Sequence, residues 1–293
     1  VELAAAEAVL RGTELRVICV RRPDDRWPTA GQRRQPPIAT ESVLAQAVER
    51  AVRSHPRLSV VSELVEGSPI AVLIEASARA ELTVVGHRGR GGFLGLAAGS
   101  VCSHVMTRGY GPILITRRTG TPHPDGPVML GIDADAPVRA ALDFAFTEAN
   151  LRGVPLRAAY VWSRPGAPGP FAAAAYCYDE ASREAARRMA EAIAGWSQQY
   201  PDVKLQLVVR HSLDPAAAVL AGSEDASLVV LGSHNLGGAR RLLLGSVTRT
   251  LAHHRGCPIA VVHPTAAEAH EEREPSTTRE LAGVPIAVAG GAG

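Results

Sequence analysis

Two stretches of the chain share a residue pattern suited to holding an anion. In the first, Val84-Val85-Gly86-His87-Arg88-Gly89-Arg90-Gly91-Gly92 runs on to Gly99-Ser100-Val101. In the second, Val230-Leu231-Gly232-Ser233-His234-Asn235-Leu236-Gly237-Gly238 runs on to Gly245-Ser246-Val247. Each reads as an apolar strand, a glycine-rich loop and a Gly-Ser pair opening an amphipathic helix, at the common spacing G-x2-G/N-x9-G-S. Glycines let main-chain N–H groups approach a ligand closely. A serine at a helix start adds a hydroxyl and free N–H groups at the positive end of the helix dipole. Phosphate is the natural occupant. The Gly-Lys-Ser/Thr of a Walker loop and the G-x-G-x-x-G of a dinucleotide fingerprint are both absent.

Around these loops other residues could do chemistry. Asp133 ends an apolar run and is an acid at a strand end; turn or helix-cap duty is its plain alternative. His87 and His234 lie inside the loops, and Arg88 and Arg90 could screen phosphate charge. His253-His254 has no third ligand at metal spacing, so helix capping is preferred to a metal site. Cys19, Cys102, Cys177 and Cys257 are scattered with no C-x2-C pair, which argues against a thiolate metal site and a disulfide framework; Cys102 and Cys257 read as small core residues. The Arg21-Arg22 to Arg33-Arg34 loop is expected to be solvated.

The elements that must position the loops alternate. The first half reads as a helix over 1–11 with Leu3, Ala6, Val9 and Leu10 on its apolar side, then a strand over 15–20. A helix over about 40–54, a strand over 58–65 and a helix from Ser68-Pro69 with Ser68 as N-cap follow. A strand over 82–85 leads to the first loop, and the helix from Ser100 and a strand over 112–116 close the half. Thr119–Pro127 is a linker by composition. The sequence then starts over: a strand over 128–133, a helix matching Glu7–Arg11 with Glu148–Arg152, a strand ending at Trp162, and a Pro/Gly/Ala loop. A long helix from Asp179 to about Gln199, a strand over 205–209, a helix from Asp214-Pro215, the strand feeding the second loop and a strand over 258–262 complete it. Strand–helix alternation implies parallel sheets covered on both faces. Ligands on such sheets lie at the carboxyl ends of the strands. By the repeat offset the counterpart of Asp133 falls roughly nine residues before Val1. The first copy is therefore expected to lack its first strand, and the chain to be truncated at its N-terminus or to begin late. Residues 265–293 fit neither copy and are expected to form a disordered tail.

At these residues the sequence resembles the universal stress protein family, in particular its tandem-domain, ATP-binding, actinobacterial type. Gly86, Gly89, Gly99 and Ser100 match the family's nucleotide motif; Gly232, Gly245 and Ser246 match it in the second copy, where Asn235 replaces a glycine. The resemblance spans about residues 1–264. It implies a Rossmann-like α/β fold of two tandem doubly wound five-stranded sheets, order 3-2-1-4-5: domain 1 over 1–118, N-terminally truncated, a linker over 119–127, and domain 2 over 128–264. It implies ATP, with Mg through the phosphates, as ligand. Adenine would sit against the main chain at Val20 and Val161, with Asp133 near the ribose. The phosphates would lie on Gly86, His87, Gly89, Arg90, Gly99, Ser100 and Val101, or on Gly232, Ser233, Asn235, Gly245, Ser246 and Val247. It also implies an internal pseudo-dimer through residues 112–116 and 258–262, with a homodimer left open. With its first strand in place, copy one, whose loop is complete, ranks above copy two as an ATP site.

Composition bounds the rest. Apolar residues make up 46% of the 293 but aromatics only 4%, so Val, Leu, Ile and Ala must fill the cores. The net charge of +2 comes from mixed charges, with Lys204 as the only lysine. No basic block interleaved with aromatics points to nucleic acid. No apolar run long enough for a membrane span and no signal-peptide pattern is present, and the reading is cytoplasmic. No general base stands near either loop in sequence. The nucleotide-binding stress-response regulator that the resemblance implies, without catalytic residues, is preferred to a slow ATPase or a nucleotide-free docking module.

Overall fold

The repeat announced by Glu7–Arg11 and Glu148–Arg152 carries through to the backbone, because both helices stop on the same device. Gly12 and Gly153 each take φ of +65°, the left-handed conformation that glycine adopts without a Cβ penalty. Thr13 N–H then bonds Ala8 O, and Val154 N–H bonds Ala149 O. The structure, a computed structural model, describes residues 1–22, 40–87, 99–116, 123–133, 139–162, 171–233 and 257–265, with the main chain alone over 171–177.

The first half comprises α1 (Glu2–Arg11), β1 (Leu15–Arg21), α2 (Thr40–Ser54), β2 (Val60–Glu66), α3 (Pro69–Ser77), β3 (Thr83–Gly86), α4 (Ser100–Arg108) and β4 (Pro112–Thr116). The second comprises β5 (Val128–Ile132), α5 (Arg139–Arg152), β6 (Leu156–Trp162), α6 (Phe171–Ile193), α7 (Trp196–Gln199), β7 (Leu205–His211), α8 (Pro215–Ala221), β8 (Leu228–Gly232) and β9 (Ile259–Val262).

Seven strands form one sheet in the order β3-β4-β9-β8-β5-β6-β7. All its neighbours run parallel except β4 and β9, which pair antiparallel with Pro112 opposite Val262 and Ile115 opposite Ile259. Counted within the second half, the strands run third, second, first, fourth, fifth. Helices cover both faces, so the central strands are apolar on both. Val128, Leu130 and Ile132 of β5 face a core with Phe146, Ala149 and Met189, whereas Met129 joins Val105, Met106, Ile113 and Val261 on the other side. Each fully buried aliphatic side chain contributes about 1.5–3 kcal/mol, and with so few aromatics it is these side chains that make the sheet the stable centre of the molecule.

The α/β class and parallel sheets follow the expectation, but the first half does not keep its strands together. β1 and β2 form a separate two-stranded parallel sheet, and β3 and β4 belong to the seven-stranded one. No described strand lies between β1 and β3.

Three local expectations are corrected. The buried face of α1 is Ala5, Glu7 and Ala8, while Val9 is 49% exposed; the helix turns its ionic residues inward because they meet charges of the other half. The long helix of the second half begins at Phe171, eight residues early. Four alanines follow Phe171 there, and alanine is the best helix former; its far end breaks at Gly195 (φ +89°) into α7. Ser68 stands at the N-cap of α3 but its hydroxyl caps nothing, whereas Asp214 does accept from Ala217 N–H at 3.0 Å to start α8. The expected 265–293 tail, apart from Thr265, lies outside the described residues. So do residues 119–122 of the expected linker.

Candidate functional site

Each half brings a glycine to the carboxyl end of a parallel strand and fixes the next residue by one main-chain bond. Gly86 ends β3, and His87 N–H donates to Thr116 O at 3.1 Å; Gly232 ends β8, and Ser233 N–H donates to Val262 O at 2.9 Å. Because β4 and β9 are antiparallel, these two edges sit at opposite ends of the seven-stranded sheet.

In the first half the loop is anchored at both ends: Gly99 N–H donates to His87 O at 2.9 Å. Gly99 is the N-cap of α4 in extended conformation, with no side-chain cap and no acid in the first turn. The helix therefore offers Ser100, Val101 and its first N–H groups without a competing carboxylate. Val20 stands apart, on β1 beyond the gap, paired with Val65.

In the second half β6, β5 and β8 are neighbours. Asp133 directly follows β5, and continuing the Gly131–Leu231 register by two residues sets Asp133 opposite Ser233. Val161 is one strand over, on β6. The Ser233 hydroxyl is buried and finds no hydrogen-bond partner among the described residues. Such a group costs free energy unless something satisfies it. The structure thus gathers Asp133, Val161, Gly232 and Ser233 on one edge. Gly89, Arg90, Asn235, Gly245, Ser246 and Val247, with Arg88, His234 and His253-His254, lie outside the described residues.

Two groupings escaped the sequence reading. Trp162, Tyr178 and His211 cluster beyond Val161 at the ends of β6 and β7, the Trp162 and His211 ring centroids 4.5 Å apart. Glu7, Arg11, Glu148 and Arg152 form an ionic knot between α1 and α5. The one signal available was the matched Glu-x3-Arg pair in each copy, which marks the repeat but not the contact between its copies. Burial pushes the Glu148 carboxyl up, against the pull of Arg11 and Arg152. Cys102 is buried and Cys257 packs against the same core. Among the described residues no three His, Cys, Asp or Glu side chains could share a metal ion, and no described helix is long and apolar enough to cross a membrane.

The family model described as the universal stress protein family matches residues 1–117 and 126–263. The chain belongs to that family. A universal stress protein of Mycobacterium tuberculosis is 36% identical over 231 residues, 75% of each chain. The crystal structure of a universal stress protein from Archaeoglobus fulgidus covers 90% of this chain and 91% of its own at 19% identity, with a TM-score of 0.61, a likeness of fold. Another from Archaeoglobus fulgidus, solved in complex with dAMP, covers 47% of this chain and 97% of its own at 21% identity and a TM-score of 0.29. As a universal stress protein the chain carries the repeat twice, one half on either side of the β4–β9 pair.

Proposed function

We propose that this universal stress protein binds an adenine nucleotide, ATP by preference, at the carboxyl edge of its second half. The observation that carries the reading is the buried Ser233 hydroxyl, unpartnered among the described residues, at a strand end where the β5–β8 register, continued by two residues, sets Ser233 beside Asp133. A phosphate oxygen accepts from such a hydroxyl, and a ribose hydroxyl donates to such an acid, so the residues present suit the ligand. Gly232 leaves room at the strand end, and the main chain at Val161 would meet the base beside Trp162. Gly245, Ser246 and Val247 are proposed to complete the phosphate side, with Asn235 in the loop.

The first half is proposed as a second site. Gly86, His87, Gly99, Ser100 and Val101, with Gly89 and Arg90, would hold phosphate, but Val20 sits across a gap from them. Loop sequence alone favours the first copy; sheet continuity favours the second. The proposed division is residues 1–118 and 128–264, joined by 119–127, with ATP as a regulatory ligand rather than a substrate.

Native mass spectrometry of the freshly purified chain, with its denatured extract separated by HPLC, tests the reading. One ATP or ADP per chain is the expected result. A chain that is nucleotide-free and shows no thermal shift with Mg-ATP would overturn it.

A further inference from the structure

Past Val161 the carboxyl edge of the second half ends in rings rather than aliphatic side chains. Trp162 closes β6, His211 closes β7, and the two are register partners. Ser212 N–H donates to Trp162 O at 3.1 Å, which ties the two strand ends together. Register partners turn their side chains to the same face of a sheet, so indole and imidazole lie side by side, their centroids 4.5 Å apart. Tyr178 of α6 completes the group at 5.6 Å from each ring, edge-on to the imidazole. The indole packs against the core that includes Phe146 and Met189, while Tyr178 is half-exposed and His211 exposed. Only 4% of the residues are aromatic, and rings placed at a solvent-facing rim gain little from burial.

The register fixes what lies beside them. Continuing the Ile132–Tyr160 pairing by one residue sets Asp133 beside Val161, just as the β5–β8 register, continued by two, sets it beside Ser233. Ser233, Asp133 and Val161 thus form one row across three neighbouring strands, and Trp162 is the next residue of β6 beyond that row. At a strand spacing of about 4.8 Å the row spans roughly 10 Å. A nucleotide with phosphate at Ser233 and ribose at Asp133 therefore carries its base to the third strand, where the indole stands. Stacking on an aromatic face is indifferent to a base's hydrogen-bonding pattern and depends on its π-surface. It favours a two-ring purine over a one-ring pyrimidine.

We propose that Trp162 is the base-stacking residue of the second-half site, that His211 and Tyr178 are positioning residues for its indole, and that the cluster selects purine over pyrimidine nucleotides. The proposal rests on the reading that this edge binds a nucleotide and adds the side chains that recognise the base. Asp133 and Ser233 serve the ribose and phosphate that all nucleotides share; the rings respond to what differs. His211 flanks the indole across the strand pair and Tyr178 flanks it from α6, so loss of either lets the indole turn without removing it.

Isothermal titration with Mg-ATP, Mg-CTP and magnesium tripolyphosphate tests this on the full natural chain and on Trp162→Leu, Trp162→Phe and His211→Ala. The natural chain should bind ATP about tenfold more tightly than CTP. Trp162→Leu should remove most of that preference and leave the tripolyphosphate affinity unchanged, whereas Trp162→Phe, which keeps a stacking face and a filled site, should retain most of it. His211→Ala should narrow the preference by about threefold; a merely structural role would weaken all three ligands alike. Binding of ATP no tighter than CTP, or a preference that survives Trp162→Leu or is lost in Trp162→Phe, overturns the proposal and leaves the nucleotide site standing. Failure of the natural chain to bind any of the three ligands overturns both.

Discussion

Arg152 of the second half reaches Glu7 of the first, its Nη2 2.5 Å from Glu7 Oε1 and 2.7 Å from Glu148 Oε2. Arg11 returns the relation, bonding its own Glu7 and, across the halves, Glu148. Each acid is thus shared by both arginines, and Glu148 is fully buried. Removing one member leaves an uncompensated buried charge, which costs about 3–5 kcal/mol. Glu148→Ala should lower stability by about that amount in urea unfolding. Replacing all four by apolar residues of like volume should cost far less, because the desolvation of the ions is then avoided.

His263 follows β9 and donates from Nε2 to Met106 O at 2.8 Å, inside the junction where its N–H also bonds Gly111 O at 3.0 Å. Burial pushes its pKa below the ordinary value, against the carbonyl contact. The unfolded chain therefore binds the proton at a higher pH than the folded one. This contribution to stability is full above about pH 6.5 and falls as the pH drops through that value towards the lowered folded pKa. Urea midpoints at pH 7.5 and 5.5 should fall further apart in the natural chain than in His263→Asn. Equal pH sensitivity of the two would contradict this.

Gly126 tests how the second half is entered. A Cβ there would lie 2.0 Å from Asp225 O and 3.1 Å from Ser227 N, the main chain that docks on Pro127. Backbone cannot yield as a side chain can. Gly126→Ala should destabilise by about 1–3 kcal/mol, measured as a lower thermal midpoint.

Most of the order of elements was legible because its signals are local: apolar runs for buried strands, Gly12 and Gly153 for helix ends, Ser68-Pro69 and Asp214-Pro215 for helix starts. The repeat offset also showed that no described strand of the first half matches β5. What the sequence hid were consequences of contact between the halves. Periodicity placed Val9 inside α1 because it reads apolar residues as buried; the ionic knot reverses that. The divided first sheet was equally illegible, since whether β1 and β3 stay in one sheet depends on what fills the space between them. Of the candidate site, the strand-end residues Gly86, Gly232 and Asp133 were readable from spacing. The Trp162–Tyr178–His211 cluster was not, because its members come from three separate elements.

Isothermal titration of the full chain with Mg-ATP, beside Asp133→Asn and Ser233→Ala, tests the central claim most directly. The expected result is one saturable site of dominant affinity, weakened at least tenfold by each substitution while the ligand-free thermal midpoints stay within a few degrees of the natural chain. No saturable binding, or binding indifferent to both substitutions, would contradict a nucleotide site built on Asp133 and Ser233.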